Sequence, residues 1–208
     1  MKYFLDFGTH YLDNGGKYSG CESGLLTFEK QLFFGREAPY GWHVLTFEPS
    51  IHAIEANEAI IPSIAKRFLS FQAFHAAIGA EDALVKFKWL PRWSAASTCV
   101  MEPLTEIEGQ YCKEYYVESM DVKRVVQEII DSDSDAAIHI KCDIEGAEFT
   151  VLPRLLEIED AGQWVKAIYV EWHDRFWKGK PRHNEILQTK ATIKESCAKS
   201  SVALYDWV

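Results

Sequence analysis

Short apolar runs of strand length alternate with segments of helical periodicity along most of this chain, and no other feature constrains the fold as much. The first run, Tyr3, Phe4 and Leu5, is closed by Asp6 and followed by Gly8. A strand is expected from His43 to Phe47, ending at Glu48 and Pro49, with a short helix over 50–57 behind it. One apolar run covers 68–78 and stops at Gly79, and a turn of Ala80, Glu81 and Asp82 leads into a run at 83–89. The later pattern predicts a helix at 120–130, a strand at 136–142 and a helix at 147–159. A strand at 165–172, a helix at 184–199 and a last strand at 202–207 complete it. Leu25, Leu26, Phe28, Leu32 and Phe33 also recur at helical spacing, up to Gly35. Between these elements, residues 9–20 carry Asp13, Asn14, Gly15, Gly16, Ser19 and Gly20, which is loop chemistry. Residues 90–116 mix proline, serine, threonine and glycine with aromatics and read as long loops over a cleft. Strand and helix in repeated alternation build βαβ units, hence an α/β fold with a mostly parallel central sheet and helices on both faces.

At 208 residues the chain fits a single domain, 1–208, whose core needs no disulfide or metal staple. With 22 basic against 31 acidic residues the net charge is -9, a field that repels phosphate backbones and anionic lipid. Neither a nucleic acid nor a membrane is therefore expected as partner. Five cysteines, an odd number without CxxC spacing, fit reduced thiols in a cytoplasmic protein. No exported leader is visible and no apolar stretch approaches membrane-spanning length.

In open parallel sheets ligands bind beyond the carboxyl ends of the strands. Those positions here are 6–10, 48–50, 78–80, 143–148 and 171–174, and four of the five segments carry carboxylates. Asp6 before Gly8 suits a cationic or hydrogen-bond-donating ligand, or else stabilises a turn; neither GxGxxG nor a P-loop is present. Glu48 can accept hydrogen bonds from ribose hydroxyls or simply be a solvated residue near a helix cap. Asp143 and Glu145 can orient an amino group, bind a divalent cation, act as acid and base, or complement a helix macrodipole. The last reading fits Glu148 well and Asp143 poorly, since Asp143 closes a strand. His173, beside Glu171, is a candidate base or a hydrogen-bonded strand-end histidine, and His10 is a further candidate on the glycine loop. Trp89, Trp93 and Trp172 line a cleft or pack, and the basic stretch 178–183 meets an anion or only solvent.

Taken in order, five segments carry a resemblance: Phe-Leu-Asp-Phe-Gly at 4–8, Thr-Phe-Glu-Pro-Ser at 46–50, Ala-Ala-Ile-Gly-Ala-Glu-Asp at 76–82, Ile-Lys-Cys-Asp-Ile-Glu-Gly-Ala-Glu-Phe at 140–149 and Tyr-Val-Glu-Trp-His at 169–173. From about residue 3 to 173 the chain resembles the FkbM family of S-adenosylmethionine-dependent methyltransferases. The resemblance implies a Rossmann-like class I methyltransferase fold, S-adenosylmethionine as cofactor, and methyl transfer to an oxygen (or nitrogen) nucleophile of a small molecule or carbohydrate. By it, Asp6 and Gly8, with Thr9 and His10, line the methionine end of the cofactor. Glu48, Pro49 and Ser50 hold the ribose, and Ala77 and Ile78 flank the adenine. Asp143 and Glu145 sit beside the amino acid moiety, the catalytic set is Asp143, Glu145 and His173, and no residue is assigned to a metal. The first motif departs from the family's Gly-Ala-Asn-x-Gly, since Thr9, His10, Tyr11 and Leu12 follow Gly8, so this loop is expected to be longer or differently shaped. Two other readings compete: a metal-dependent hydrolase built around Asp6, Asp143, Glu145 and His173, and a cofactor-binding module without turnover.

Overall fold

The computed structural model describes residues 1–9, 41–89 and 113–207. Its centre is strand β1 (Lys2–Phe7). Tyr3, Leu5 and Phe7 enter one hydrophobic cluster and Phe4 the other, because successive side chains of a strand leave on opposite faces. A strand covered on both faces is apolar almost throughout. Asp6, on the Phe4 face and fully buried, is the exception.

Strands β2 (Trp42–Phe47) and β3 (Ser70–Phe74) extend the sheet on one side of β1. On the other side lie β7 (Ala137–Cys142), β8 (Val165–Val170) and β9 (Ala203–Asp206). The order is β3-β2-β1-β7-β8-β9, and every neighbouring pair is parallel. The chain grows outward from β1 to β3 and later returns to the far side of β1, which makes the β1/β7 boundary the topological switch point. A second, three-stranded sheet has the order β4-β6-β5, from β4 (Ala77–Gly79), β5 (Ala83–Trp89) and β6 (Lys113–Asp121).

Helices cover both faces, as the sequence predicts. On the Leu5 face α3 (Val122–Ser132), α4 (Glu148–Leu155) and α5 (His183–Lys199) share one core with β1, β7 and β8. From α3 alone Val122, Val125, Val126, Ile129 and Ile130 are buried at the i, i+3, i+4 spacing of an amphipathic helix. At about 1.5–3 kcal/mol per buried aliphatic side chain, that stripe outweighs the helix's surface ion pairs. Behind α1 (Ile51–Glu58), the short α2 (Ile61–Ala65) seats Ile64 on the opposite face with Phe4, Trp42, Val44 and Phe68. Among the described residues no helix is long and apolar enough to cross a membrane.

Several boundaries differ from the sequence expectation. The run at 68–78 is two strands in different sheets, parted at His75 and Ala76. Residues 113–116, expected as loop, open the nine-residue β6, whose Val117, Ser119 and Asp121 face inward while Glu114, Tyr116 and Glu118 face solvent. The polar half of that alternation conceals the strand in the sequence. Helix α3 starts at Val122 rather than at 120, because Met120 and Asp121 complete β6. Helix α4 ends at Leu155 and β8 at Val170, both earlier than predicted, and α2 was not foreseen. The helix expected over Leu25–Phe33 and the loop carrying Gly15 and Gly16 lie outside the described residues.

Asp121 joins three elements. Its side chain caps α3 by accepting from the Lys123 N–H at 2.9 Å, and it receives Arg154 of α4 at 2.7 Å. That arginine first, against a smaller opposing effect of burial, holds the carboxyl below its ordinary 3.8. A depressed carboxylate contributes stability that is present above the unfolded value and is lost as pH falls through the folded one. Asp121→Ala is expected to cost about 1–2 kcal/mol in urea titration at neutral pH. The deficit should shrink below about pH 4, where the native protein also loses this contribution.

Candidate active site at the carboxyl edge of the sheet

The strand ends fall into one row. Phe7 pairs in register with Phe47 and with Cys142, Phe47 with Phe74, and Cys142 with Val170. The backbone ladder continues one step further. Gly8 N donates to Phe47 O at 3.1 Å, Glu48 N to Phe74 O at 3.0 Å, Asp143 N to Phe7 O at 3.1 Å and Glu171 N to Cys142 O at 3.0 Å. The first residue beyond each of four adjacent strands is thus held by sheet hydrogen bonds rather than by a loose loop.

At the switch point Gly8 has φ 75°, and a Cβ placed on it would come within 1.8 Å of the Asp143 carbonyl oxygen. Only glycine lets β1 turn this close to the end of β7. Thr9 then turns back, its hydroxyl donating to the Asp6 carbonyl at 3.0 Å.

Under this turn sits Lys141, which the sequence analysis did not single out. Asp6 and Lys141 are register partners on β1 and β7, so both side chains leave the sheet on the same face. The Lys141 ammonium lies 3.4 Å from Asp6 Oδ1 and 3.2 Å from Asp143 Oδ2, and it donates to the Gly8 carbonyl at 2.7 Å. Burial works against its charge, but Asp143 and Asp6 prevail and raise its pKa above the ordinary lysine value. Burial raises the Asp6 carboxyl more than Lys141 lowers it. The available signal was a lysine inside a central strand that is apolar apart from it and His139.

On the other flank of Asp143 is a second cluster. Glu145 has φ 52° and Gly146 φ 103°, a left-handed pair that folds the chain back after β7. Glu148, fully buried in the first turn of α4, accepts from Gly146 N at 2.8 Å and from His173 N at 2.7 Å. It therefore ties the turn after β7 to the segment after β8, which is more than the dipole-complementing role its position suggests. The His173 ring is wholly buried. Its Nδ1 lies 3.3 Å from Glu148 Oε1, and its Nε2 lies 3.4 Å from Glu145 Oε2, 3.6 Å from Glu171 Oε1 and 3.8 Å from Asp143 Oδ1. Burial alone would lower its pKa, but the carboxylates of Glu145 and Glu148 push it up to about 10, favouring the imidazolium. Glu145 is itself raised, chiefly by burial, with His173 opposing.

The segment after β2 is braced separately. Glu48 accepts from the Ser50 N–H at 2.7 Å, and Ser50 caps α1 through the Ala53 N–H. The Tyr115 hydroxyl of β6 donates to the Pro49 carbonyl at 3.2 Å and accepts from Ile51 N at 3.1 Å, while His75 Nε2 stands 3.1 Å from the same carbonyl. The second sheet thus positions the Glu48 loop.

Of the residues singled out from sequence, Asp6, Gly8, Thr9, Asp143, Glu145 and His173 come together around the β1/β7 ends, with Glu48, Pro49 and Ser50 one strand away. Ala77 and Ile78 are packed inside hydrophobic clusters, Ala77 with Phe87 and Val117 and Ile78 with the main core. His10 and Trp93 lie outside the described residues. Trp172 donates its indole N–H to Asp206, and Trp89 packs against the His52 ring at a 37° tilt.

A parallel sheet in this order, with a glycine turn at its switch point and polar side chains ranged along its carboxyl edge, is the Rossmann-like framework of class I methyltransferases. Residues 6–196 match the methyltransferase FkbM domain, and the chain belongs to the FkbM methyltransferase family. No curated protein and no solved structure is significantly similar to it.

Proposed function

We propose that the protein transfers a methyl group from S-adenosylmethionine to an oxygen or nitrogen nucleophile of a small molecule or carbohydrate in the cytoplasm. One observation carries the reading: carboxylates from β1 and β7 converge on a single glycine turn, with Glu48 braced one strand away. A cationic nucleoside fits such an edge. Neither Asp6 oxygen is in a hydrogen bond among the described residues, Lys141 standing at 3.4 Å. When bound, S-adenosylmethionine supplies the methyl group and a sulfonium leaving group.

In this reading Asp6, Gly8, Thr9 and Asp143, with His10, hold the methionine end, and Glu48 with Pro49 and Ser50 holds the ribose hydroxyls. Ala77 and Ile78 shape the adenine wall from within the packed clusters. Lys141 keeps Asp143 and the Gly8 carbonyl in place. Asp143, Glu145 and His173 face the acceptor side, where the cluster accepts the proton that the acceptor loses. Because His173 is favoured as imidazolium, the lone pairs open to that proton are carboxylate ones. Alignment of acceptor and methyl group supplies the rest of the rate. The free, buried Cys142 and Cys197 suit a reducing compartment.

S-adenosylhomocysteine at about 100 times its Kd is expected to add about 2.7 kcal/mol to the native state, a melting-temperature rise of roughly 5–10 °C. Glu48→Ala should remove most of that rise, on top of a ligand-free loss of about 2–6 °C from the buried Ser50 N–H it leaves unpaired. No stabilisation of the wild-type chain at millimolar ligand would overturn the assignment, and stabilisation without methyl transfer to any acceptor would favour the binding-module reading.

A further inference from the structure

We propose that Asp143, Glu171 and His173 form a site for one divalent cation of the first transition row. The three side chains come from the adjacent ends of β7 and β8, and one ligand atom of each lies within 4.8 Å of the others. Two donors each about 2.1 Å from one ion stand about 3 Å apart when cis and about 4.2 Å when trans. The Nε2 separations of 3.8 Å to Asp143 and 3.6 Å to Glu171 fall inside that range.

The histidine distinguishes this group from an ordinary acidic cluster. Its side chain is completely buried, and among the described residues neither ring nitrogen makes a hydrogen bond of acceptable geometry. A buried imidazole left so is costly unless something else engages it. Glu148 sits 3.3 Å behind Nδ1 and is itself fixed by the backbone N–H groups of Gly146 and His173. A carboxylate behind one ring nitrogen, with the other nitrogen aimed at a group of oxygens, is the arrangement that orients a metal-binding histidine.

The remaining lone pairs are distributed accordingly. Lys141 engages Oδ2 of Asp143, leaving Oδ1 toward His173, while Arg175 donates at 3.0 Å to Glu171 Oε1, the oxygen that also faces His173, so an ion there would take that oxygen's other lone pair. Formally, five carboxylates (Asp6, Asp143, Glu145, Glu148 and Glu171) face the two cations Lys141 and Arg175, an excess of three negative charges that a dication on neutral His173 reduces to one. One imidazole with two carboxylates selects Mn2+, Fe2+ or Zn2+ over Mg2+ and Ca2+, which prefer oxygen alone. Glu145, whose Oε2 is 3.4 Å from the same nitrogen, stands beside the ion as a further oxygen. The site itself does not depend on the methyl-donor reading. Its use does: an ion here would hold the acceptor's hydroxyl oxygen beside Asp143 and lower that hydroxyl's pKa.

Mn2+ titrated into the full-length chain without cosubstrate, followed by electron paramagnetic resonance, tests the site. One bound ion per chain is expected, with the spin-echo signature of an imidazole nitrogen in its coordination sphere and no displacement by excess Mg2+. His173→Gln should remove the nitrogen signature, and Glu171→Gln should weaken binding by about ten-fold or more. If His173→Gln does not fold, the half-exposed Glu171 and the wild-type nitrogen signal still decide. No bound Mn2+ at millimolar concentration, a bound ion without nitrogen coupling, ready displacement by Mg2+, or unchanged affinity in Glu171→Gln would overturn the site. Mn2+ binding in a chain that S-adenosylhomocysteine fails to stabilise would sink the methyl-donor reading and leave the cation site standing.

Discussion

Lys141→Met should be among the most damaging single substitutions in this protein. Methionine preserves the unbranched stem but removes the cation between Asp6 and Asp143. Breaking a buried ion pair by removing one partner costs about 3–5 kcal/mol, well above the 0–1 kcal/mol of an exposed pair. Lys141 also loses its hydrogen bond to the Gly8 carbonyl, so the turn at the switch point is released. Urea titration should show the midpoint falling, and S-adenosylhomocysteine should no longer raise the melting temperature. The deficit has a pH signature. Without the lysine, burial raises the Asp6 carboxyl still further above its ordinary 3.8. A carboxyl raised in the folded state favours that state at low pH and penalises it as pH climbs through the raised value. The difference between wild type and variant should therefore narrow toward acid and widen toward neutrality; a gap independent of pH would count against this account of the pair.

Gly8→Ala is the second large effect expected. The new methyl would stand 1.8 Å from the Asp143 carbonyl oxygen, a backbone atom that cannot rotate away, and φ at Gly8 is 75°. The backbone strain alone is about 1–2 kcal/mol, and relieving the contact requires parting the ends of β1 and β7. A total of at least about 3 kcal/mol is expected, together with loss of cofactor-induced stabilisation. Gly179 offers an internal comparison: its φ is 80°, but an added Cβ would meet nothing within 4 Å among the described residues. Gly179→Ala should cost only the conformational part, about 1 kcal/mol. Equal losses in the two variants would show that the close approach to Asp143 contributes nothing.

Much of the framework was legible before any coordinates. The strands of the large sheet were found because both faces of a central parallel strand are buried, which leaves mostly apolar runs such as Phe4 to Phe7, broken at Asp6, and Ile138 to Cys142, broken at His139 and Lys141. The row of acidic residues was legible for a related reason. Carboxylates placed just past apolar runs fall at the carboxyl edge of any parallel sheet, whatever its strand order. By contrast β6 was hidden, since its outward half is Glu114, Tyr116 and Glu118, and a half-solvated strand of nine residues resembles a polar loop. The split of 68–78 between two sheets was hidden too, because nothing in the composition of His75 and Ala76 marks a change of partner.

The amino-acid sequence by itself determined the α/β alternation, the glycine at the first turn and the set of carboxylates at the strand ends, all of which follow from local periodicity and residue type. Only the tertiary structure decided which charge meets which. The β1–β7 register sets Lys141 opposite Asp6 across 135 positions of chain, and the packing of α4 against the end of β8 seats Glu148 behind His173. Pairing register and burial are properties of two segments at once, and the free energy of a buried charge depends on its partner far more than on its sequence neighbours.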